Sequence, residues 1–176
     1  FASVSDVHSA LKTFTALRDR TGKKEVPKAI PATSPFDLCG VTHYTDKADG
    51  VTAYLVTCWS ESGRTLVPYV ITKDAASRDG YLARPLPKGS YSEIEQTTSV
   101  VGPSLLVGEL VHLVKTMRRQ EPQFLVFDAI VVNDESVLSK DLSERLHVTT
   151  ELVGSLAPSI GRPFTKMKNI QPIPST

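Results

Sequence analysis

The chain contains the stretch Val51-Thr-Ala-Tyr-Leu-Val-Thr-Cys-Trp59, then Ser60-Glu-Ser-Gly63, then Arg64-Thr-Leu-Val-Pro-Tyr-Val-Ile-Thr72. Both outer segments are rich in β-branched and aromatic residues, and the four residues between them are of types that form turns. This pattern predicts a β-hairpin with alternating side chains. The hairpin is the first indication that antiparallel sheet organises the chain.

The segments on either side of the hairpin predict an α+β domain built on antiparallel sheet, because strand-like stretches are many and few helices separate them. Upstream, the three- and four-residue spacing of apolar side chains predicts a helix over residues 5–20, and the glycine and prolines of residues 21–35 predict a loop. Downstream, the predicted elements are strands at 81–84, 104–114, 123–133 and 164–170, and a helix at about 140–156. We therefore expect an N-terminal helix and loop at 1–35 and the main domain at 36–176.

The composition is that of an ordinary soluble globular domain. Of 176 residues, 40% are hydrophobic and 22% are charged, and the net charge of +1 argues neither for nor against a nucleic-acid partner. Cys39 and Cys58 are too few for a disulfide framework and have no metal-ligand spacing, so we expect both to be reduced and buried. No apolar run approaches the ~20 residues of a membrane span. These features predict an intracellular protein without a membrane partner.

The segment Lys47-Ala-Asp-Gly50 lies directly before the hairpin and provides a candidate nucleophile. A lysine held where a strand begins can attack a nucleotide phosphate and form a covalent lysyl-nucleotide, provided that its amine is neutral. A four-residue pattern with one variable position occurs by chance in many proteins, so it gains weight only from its companions. Two companions follow in the chain, Leu106-Val-Gly-Glu-Leu-Val111 and Phe124-Leu-Val-Phe-Asp-Ala-Ile130.

In this order the segments resemble motifs of the covalent nucleotidyltransferases, the superfamily of mRNA capping guanylyltransferases and nucleic-acid ligases. Thr45 to Gly50 resembles the first motif, Leu106 to Val111 the third, and Phe124 to Asn133 the one called IIIa. Val137 to Leu146 is similar to the usual continuation, and Arg162 to Lys168 is similar to the strand that comes next in capping enzymes. The resemblance implies an incomplete nucleotidyltransferase domain without its oligonucleotide-binding-fold domain.

The resemblance also implies a role for each candidate residue. Lys47 is the nucleophile that attacks the α-phosphate of GTP, and Glu109 contacts the ribose or helps to bind a divalent ion, Mg²⁺ or Mn²⁺. Thr45 lies where family members contact the purine edge. Phe124 and Phe127 are candidates for the aromatic side chain that stacks on the purine. Since they are three residues apart in a strand, they should face opposite ways, so at most one of them stacks.

Two departures from the family pattern limit what is expected of this chain alone. The first motif usually continues to an arginine that binds the ribose, and Thr52 stands in its place. The chain as given ends before the fourth and fifth motifs, which carry a second glutamate and phosphate-binding lysines, so we expect it to be weak or inactive by itself.

Four interpretations stay open. The first is a guanylyltransferase-like part of a longer capping protein, viral or cellular, that acts on GTP and the 5′ end of RNA together with other capping domains or subunits. It predicts a location in the nucleus, or in the cytoplasm or virion for a viral protein. The second is an RNA or DNA ligase-like adenylyltransferase, and the third is an inactive guanylyltransferase-like interaction module. The fourth is an unrelated α+β domain in which the motifs occur by chance, and it predicts that Lys47, Glu109 and Phe127 do not share one pocket.

Overall fold

The computed structural model describes residues 4–27, 29, 40–46, 50–86, 91–115, 119–160 and 165–174, and for residues 4, 5, 112–115 and 119–121 it describes the backbone alone. Within these ranges it has two helices and ten strands. The helices are α1 (Val4–Arg20) and α2 (Leu142–Leu156). The strands are β1 (His43–Thr45), β2 (Val51–Trp59), β3 (Thr65–Lys73), β4 (Tyr81–Pro85), β5 (Ile94–Glu95), β6 (Leu105–Lys115), β7 (Arg119–Val132), β8 (Glu135–Ser136), β9 (Thr165–Met167) and β10 (Ile170–Pro172).

Eight of the described strands form one sheet with the predicted hairpin near its middle. The order is β4-β3-β2-β6-β7-β8, with β5 attached to β3 and β9 attached to β7. β2 and β3 are the arms of the hairpin and pair antiparallel from Ala53 opposite Thr72 to Trp59 opposite Leu66. β9 runs parallel to β7, and the other pairings between named strands are antiparallel. The predicted α+β class, rich in antiparallel sheet, is confirmed.

The two faces of this sheet carry two separate hydrophobic cores. Along β2, Leu55 belongs to the core that α2 covers, whereas Tyr54 and Val56 belong to the core that α1 covers. This division follows from the two-residue period of a strand, which sends successive side chains to opposite faces. We call these faces the α2 face and the α1 face.

Each helix packs against one face of the sheet through its buried side chains. On α1, Ala10, Phe14 and Leu17 are buried at helical spacing and join the core of the α1 face. The N-terminal helix therefore shares the core of the sheet and has no core of its own among the described residues. Asp141 is the N-cap of α2, and its carboxylate accepts a hydrogen bond from the Glu144 backbone N–H at 2.9 Å. Neither described helix has an apolar stretch of the length that a membrane crossing requires.

The chain after α2 differs from the prediction of one strand at 164–170. Two short strands occur there, because β9 pairs with β7 of the main sheet whereas β10 pairs with β1 in a separate two-stranded ribbon. Lys168 and Asn169 form the step between the two sheets. β1 itself has three residues, too few to give the sequence a recognisable period, and it was not predicted.

Candidate functional site

The predicted site residue Glu109 lies in a row of side chains that crosses four strands of the sheet. Thr52 on β2 is directly opposite Glu109 on β6, Glu109 is opposite Leu125 on β7, and Leu125 is opposite Lys166 on β9. Residues that are opposite one another share a face. The row lies on the α1 face, because Tyr54 and Val107, two positions along from Thr52 and Glu109, belong to the α1-face core.

Glu109 forms an ion pair with Lys168, which lies just beyond the end of β9. The Lys168 Nζ donates to Glu109 Oε1 at 3.4 Å, and the two side chains are only 10% and 19% exposed. The backbone N–H of Lys168 donates to the Val126 carbonyl oxygen at 2.7 Å, which fixes this lysine beside β7. The charges of both partners are thus held largely out of water next to each other.

The second oxygen of the same carboxylate has no partner in the part of the chain that the structure describes. Glu109 Oε2 is buried and accepts no hydrogen bond there. A buried carboxylate oxygen without a partner is destabilising by roughly 1–3 kcal/mol, and such groups are rare in folded proteins. An external donor, such as a hydroxyl group or a cation, would satisfy this oxygen.

A hollow of about 260 Å³ opens beside the Glu109–Lys168 pair. This volume is just below the range of ~300–1,000 Å³ that is usual for small-molecule sites. Its lining comes from the ends of β1, β7 and β9 and the step between the two sheets: Thr45, Asp46, Leu125, Lys166, Met167, Lys168 and Asn169. We call it the Lys168 hollow.

Thr45 lines the Lys168 hollow, but part of its hydrogen-bonding capacity is already used. Its Oγ1 donates to the Asn169 carbonyl oxygen at 2.7 Å, a bond that ties β1 to the step after β9. Because the hydroxyl hydrogen is committed, Thr45 can offer a ligand only its oxygen lone pairs. It would therefore recognise a donor, such as an N–H at a purine edge.

Lys47, the predicted nucleophile, and Asp49 lie outside the described residues. Their neighbours in the chain are described. Asp46 lines the Lys168 hollow, and Gly50 is so close to β6 that a Cβ there would lie 2.6 Å from Val111 Cγ1 and 3.3 Å from Glu109 Cβ. Glycine is therefore required where the motif meets β6.

The two phenylalanines face opposite sides of the sheet, as predicted. Phe124 is fully buried in the core beneath α2, so neither face of its ring is open to a purine at the Lys168 hollow. The prediction that Phe124 could stack on the purine is corrected, because its ring is covered by the core. Phe127 is partly buried beside the α1-face core, two residues along β7 from Leu125 of the hollow. Of the pair, Phe127 alone keeps a position on the face that carries Glu109.

Comparison with known proteins assigns no family. No protein-family model matches the chain, and no curated protein matches it. Membership in the nucleotidyltransferase superfamily stays a prediction from the motifs.

A divalent cation would find few ligands among the described side chains. They contain no group of three or more His, Cys, Asp or Glu residues arranged to hold a metal ion. Mg²⁺ commonly takes one or two carboxylates and completes its shell with substrate phosphates and water. Glu109 Oε2, which has no partner among the described residues, is one carboxylate oxygen that could take that limited role, and Asp46 adds a carboxylate to the lining of the hollow.

Three charged residues that line the hollow were not predicted as site residues from the sequence: Asp46, Lys166 and Lys168. Both lysines lie in the segment from Arg162 to Lys168, whose similarity to a strand of capping enzymes could have pointed to them. What the sequence lacks is the pairing of that segment with β7, which brings Lys168 to Glu109.

Proposed function

We propose that the chain is a nucleotidyltransferase domain of the capping guanylyltransferase type, which transfers GMP from GTP to the 5′-diphosphate end of RNA through a lysyl-GMP on Lys47. The observation that carries the proposal is Glu109, whose buried Oε2 has no partner among the described residues and whose Oε1 pairs with Lys168, a residue that lines the same hollow as Thr45 and Asp46 of the lysine motif. Residues of three separate sequence motifs meet there.

Polar groups around the hollow suit a nucleotide. The free oxygen of Glu109 can accept a hydrogen bond from a ribose hydroxyl, and its partly buried charge strengthens that bond. Lys168 has two N–H donors beyond the one directed at Glu109, and the exposed Lys166 adds a second positive charge at the rim. Phe127 offers a ring on the same face, and stacking on a base is generally worth ~1–3 kcal/mol.

The proposed chemistry belongs to Lys47. Its neutral amine attacks the α-phosphorus of GTP, a nitrogen–phosphorus bond forms, the bond from the α-phosphorus to the bridging oxygen breaks, and pyrophosphate leaves. The amine loses its proton to solvent or to a neighbouring base in this step. A Mg²⁺ or Mn²⁺ ion would supply neutralisation of phosphate charge, and Glu109 is the residue that would hold it.

The test is covalent labelling. The chain is incubated with α-³²P-labelled GTP or ATP and with MgCl₂ or MnCl₂, and the denatured protein is examined for an acid-labile, alkali-stable phosphoramidate. Label from GTP that disappears in Lys47→Ala and in Lys47→Arg supports the proposal. Label from ATP alone indicates the ligase-like alternative.

A second candidate is an inactive interaction module, and Thr52 favours it. This residue takes the place of the family's ribose-binding arginine and lies directly opposite Glu109, so an uncharged side chain stands at that point of the site. The module predicts no label from either nucleotide, and 5′-diphosphate RNA binding that is equal in the parent chain and in Lys47→Ala. Labelling of the parent chain would exclude it.

A further inference from the structure

β7 contains an extra residue at Phe127. In the pairing with β6, Gly108 is opposite Val126 and Val107 is opposite Asp128, so Phe127 has no partner of its own. An extra residue of this kind is a β-bulge, which bends the strand and redirects the side chains around it. The direction of the Phe127 ring therefore depends on how the bulge is held.

An ion pair with α2 holds the residue directly after the bulge. Arg145 Nε donates to Asp128 Oδ1 at 2.9 Å and Arg145 Nη2 donates to Asp128 Oδ2 at 3.1 Å, a two-point contact between buried side chains. Asp128 Oδ1 also accepts from the Ala129 backbone N–H at 2.8 Å, and Arg145 Nη1 donates to the Lys140 carbonyl oxygen at 2.7 Å. The carboxylate thus connects the backbone after the bulge to the start of α2.

Stability alone does not account for this pair. Arg145 lies in the first turns of α2, where the helix dipole disfavours a positive charge, and both groups are removed from water. Well-packed apolar residues at such places are often as stable as a buried ion pair. What the two-point contact adds is a fixed geometry, because the planar guanidinium accepts only a narrow range of carboxylate orientations.

We infer that Asp128 and Arg145 are positioning residues of the site: their ion pair fixes the bulge so that the Phe127 ring is presented to a purine on the face that carries Glu109. The role in purine binding rests on the proposed function, whereas the control of the Phe127 ring by the ion pair does not. The two parts therefore need separate measurements.

The first measurement requires no activity. 4-Fluorophenylalanine is placed at position 127 by codon reassignment, and at position 14 in a second sample as the control, because Phe14 of α1 lies in the core of the same face and contacts Tyr54, Tyr81 and Arg18. In Arg145→Lys, which keeps the charge but not the planar fork, the ¹⁹F resonance at 127 is expected to shift or split while that at 14 stays unchanged. An unchanged resonance at 127 overturns the inference.

A second variant controls for the possibility that Arg145→Lys changes the spectrum by unfolding the protein. Asp128→Leu combined with Arg145→Met replaces the pair with apolar side chains of similar size, so it is expected to remain folded and to show the same change at position 127. Retention of the parent resonance in this variant likewise overturns the inference.

The second measurement is a double-mutant cycle on the KM for GTP in the labelling reaction. Arg145→Lys is expected to raise KM about fivefold or more in the parent chain, the lower end of what base stacking supplies, but to have little further effect in Phe127→Ala. An equal rise in both backgrounds shows that the pair does not act through Phe127 and overturns the inference. If the parent chain neither takes label nor binds GTP in equilibrium dialysis, the proposed function fails, and the fluorine spectra still decide whether the pair fixes the ring.

Discussion

The Lys168 ammonium nitrogen lies 3.4 Å from one carboxylate oxygen of Glu109, although the two residues are 59 positions apart in the chain. Glu109 is fixed in the middle of the sheet, whereas Lys168 follows a three-residue strand that has only β7 as its partner in the main sheet. The geometry of the Lys168 hollow therefore depends on the docking of β9 as much as on the central strands.

Removing the lysine of this pair should lower the stability of the fold. Lys168→Met leaves both oxygens of a carboxylate that is 19% exposed without a partner among the described residues, and the free energy of unfolding is expected to fall by about 1–3 kcal/mol in urea denaturation. The matched control is Lys166→Met, which changes an exposed lysine two positions away and should stay within about 0.5 kcal/mol of the parent chain. Equal effects of the two substitutions would show that the ion pair is energetically unimportant.

The double variant Glu109→Gln with Lys168→Met tests whether the loss of stability comes from the unpaired Glu109 charge. It removes both charges together, so no buried charge is left alone, and part of the stability lost in Lys168→Met is expected to return.

Gly50 should not tolerate a methyl group. A Cβ at this position would lie 2.6 Å from Val111 Cγ1 and 2.8 Å from the Leu110 carbonyl oxygen, so Gly50→Ala forces the backbone away from β6. We expect a loss of about 1–3 kcal/mol in the free energy of unfolding, the usual range for overpacking.

The control for this change is Gly154→Ala. Gly154 lies in α2 with open space around the position of a Cβ, and alanine is favoured over glycine in helices by about 0.5–1 kcal/mol. The two substitutions should therefore shift the urea midpoint in opposite directions, and a shift in the same direction would contradict the close approach of Gly50 to β6.

Long elements with a strong local pattern were predictable from the sequence. The hairpin of residues 51–72 combines alternation with a turn, and the helix at 142–156 has its own N-cap at Asp141, so local information is sufficient for both. The short strands β1, β9 and β10 have three residues each and owe their existence to pairing partners that are distant in sequence. Their local sequence therefore contains little signal.

The candidate site was predictable only in part, for the same physical reason. The two-residue period of a strand predicted that Phe124 and Phe127 face opposite sides, but only the packing of α1 and α2 decides which of the two is covered. The ion pairs Glu109–Lys168 and Asp128–Arg145 join separate elements through side-chain contacts. The bulge at Phe127 likewise depends on how β7 pairs with β6. No periodicity encodes such contacts.

The thiol of Cys58 should make the fold sensitive to alkaline pH. Burial raises the pKa of this thiol to about 12, against the opposing effect of a hydrogen bond with Thr13, whereas a thiol in the unfolded chain has a pKa of about 8.5. In the folded state the Cys58 thiol keeps its proton up to a higher pH than in the unfolded chain. Its contribution to the free energy of unfolding is therefore complete below pH 8.5 and is lost as the pH rises toward 12.

The window from pH 8.5 to 10 isolates this thiol from the tyrosines. Burial raises the pKa of Tyr69 to about 12 and raises that of Tyr54 further, so the two matter only above their ordinary pKa of about 10. In a Cys39→Ser background, unfolding free energies measured by urea should fall by roughly 1–2 kcal/mol more across this window with Cys58 than with Cys58→Ala. Parallel pH profiles would refute the assignment.

The last prediction compares two arginines at the end of α1. The Arg18 guanidinium lies 5.3–5.9 Å from the ring centroids of Phe14, Tyr54 and Tyr81, donates to the Tyr81 hydroxyl at 2.7 Å and forms an ion pair with Glu25. Arg20 also forms an ion pair, with Asp134, but both of those side chains are about half exposed. The Arg18 side chain is 15% exposed and lies over aromatic rings, whereas the Arg20 side chain is 50% exposed.

Burial should therefore decide which substitution weakens the fold. Arg18→Met loses contacts with three rings, the hydrogen bond to the Tyr81 hydroxyl and the ion pair with Glu25, and a loss of about 2–4 kcal/mol in the free energy of unfolding is expected. Arg20→Met loses a solvent-screened pair and should change stability by no more than about 1 kcal/mol. Arg18→Lys keeps the charge but not the planar group that stacks on the rings, so it should fall between the parent chain and Arg18→Met. If Arg18→Lys matched the parent chain, charge alone would hold α1 to the sheet, and the aromatic contacts around Arg18 would be incidental to its docking.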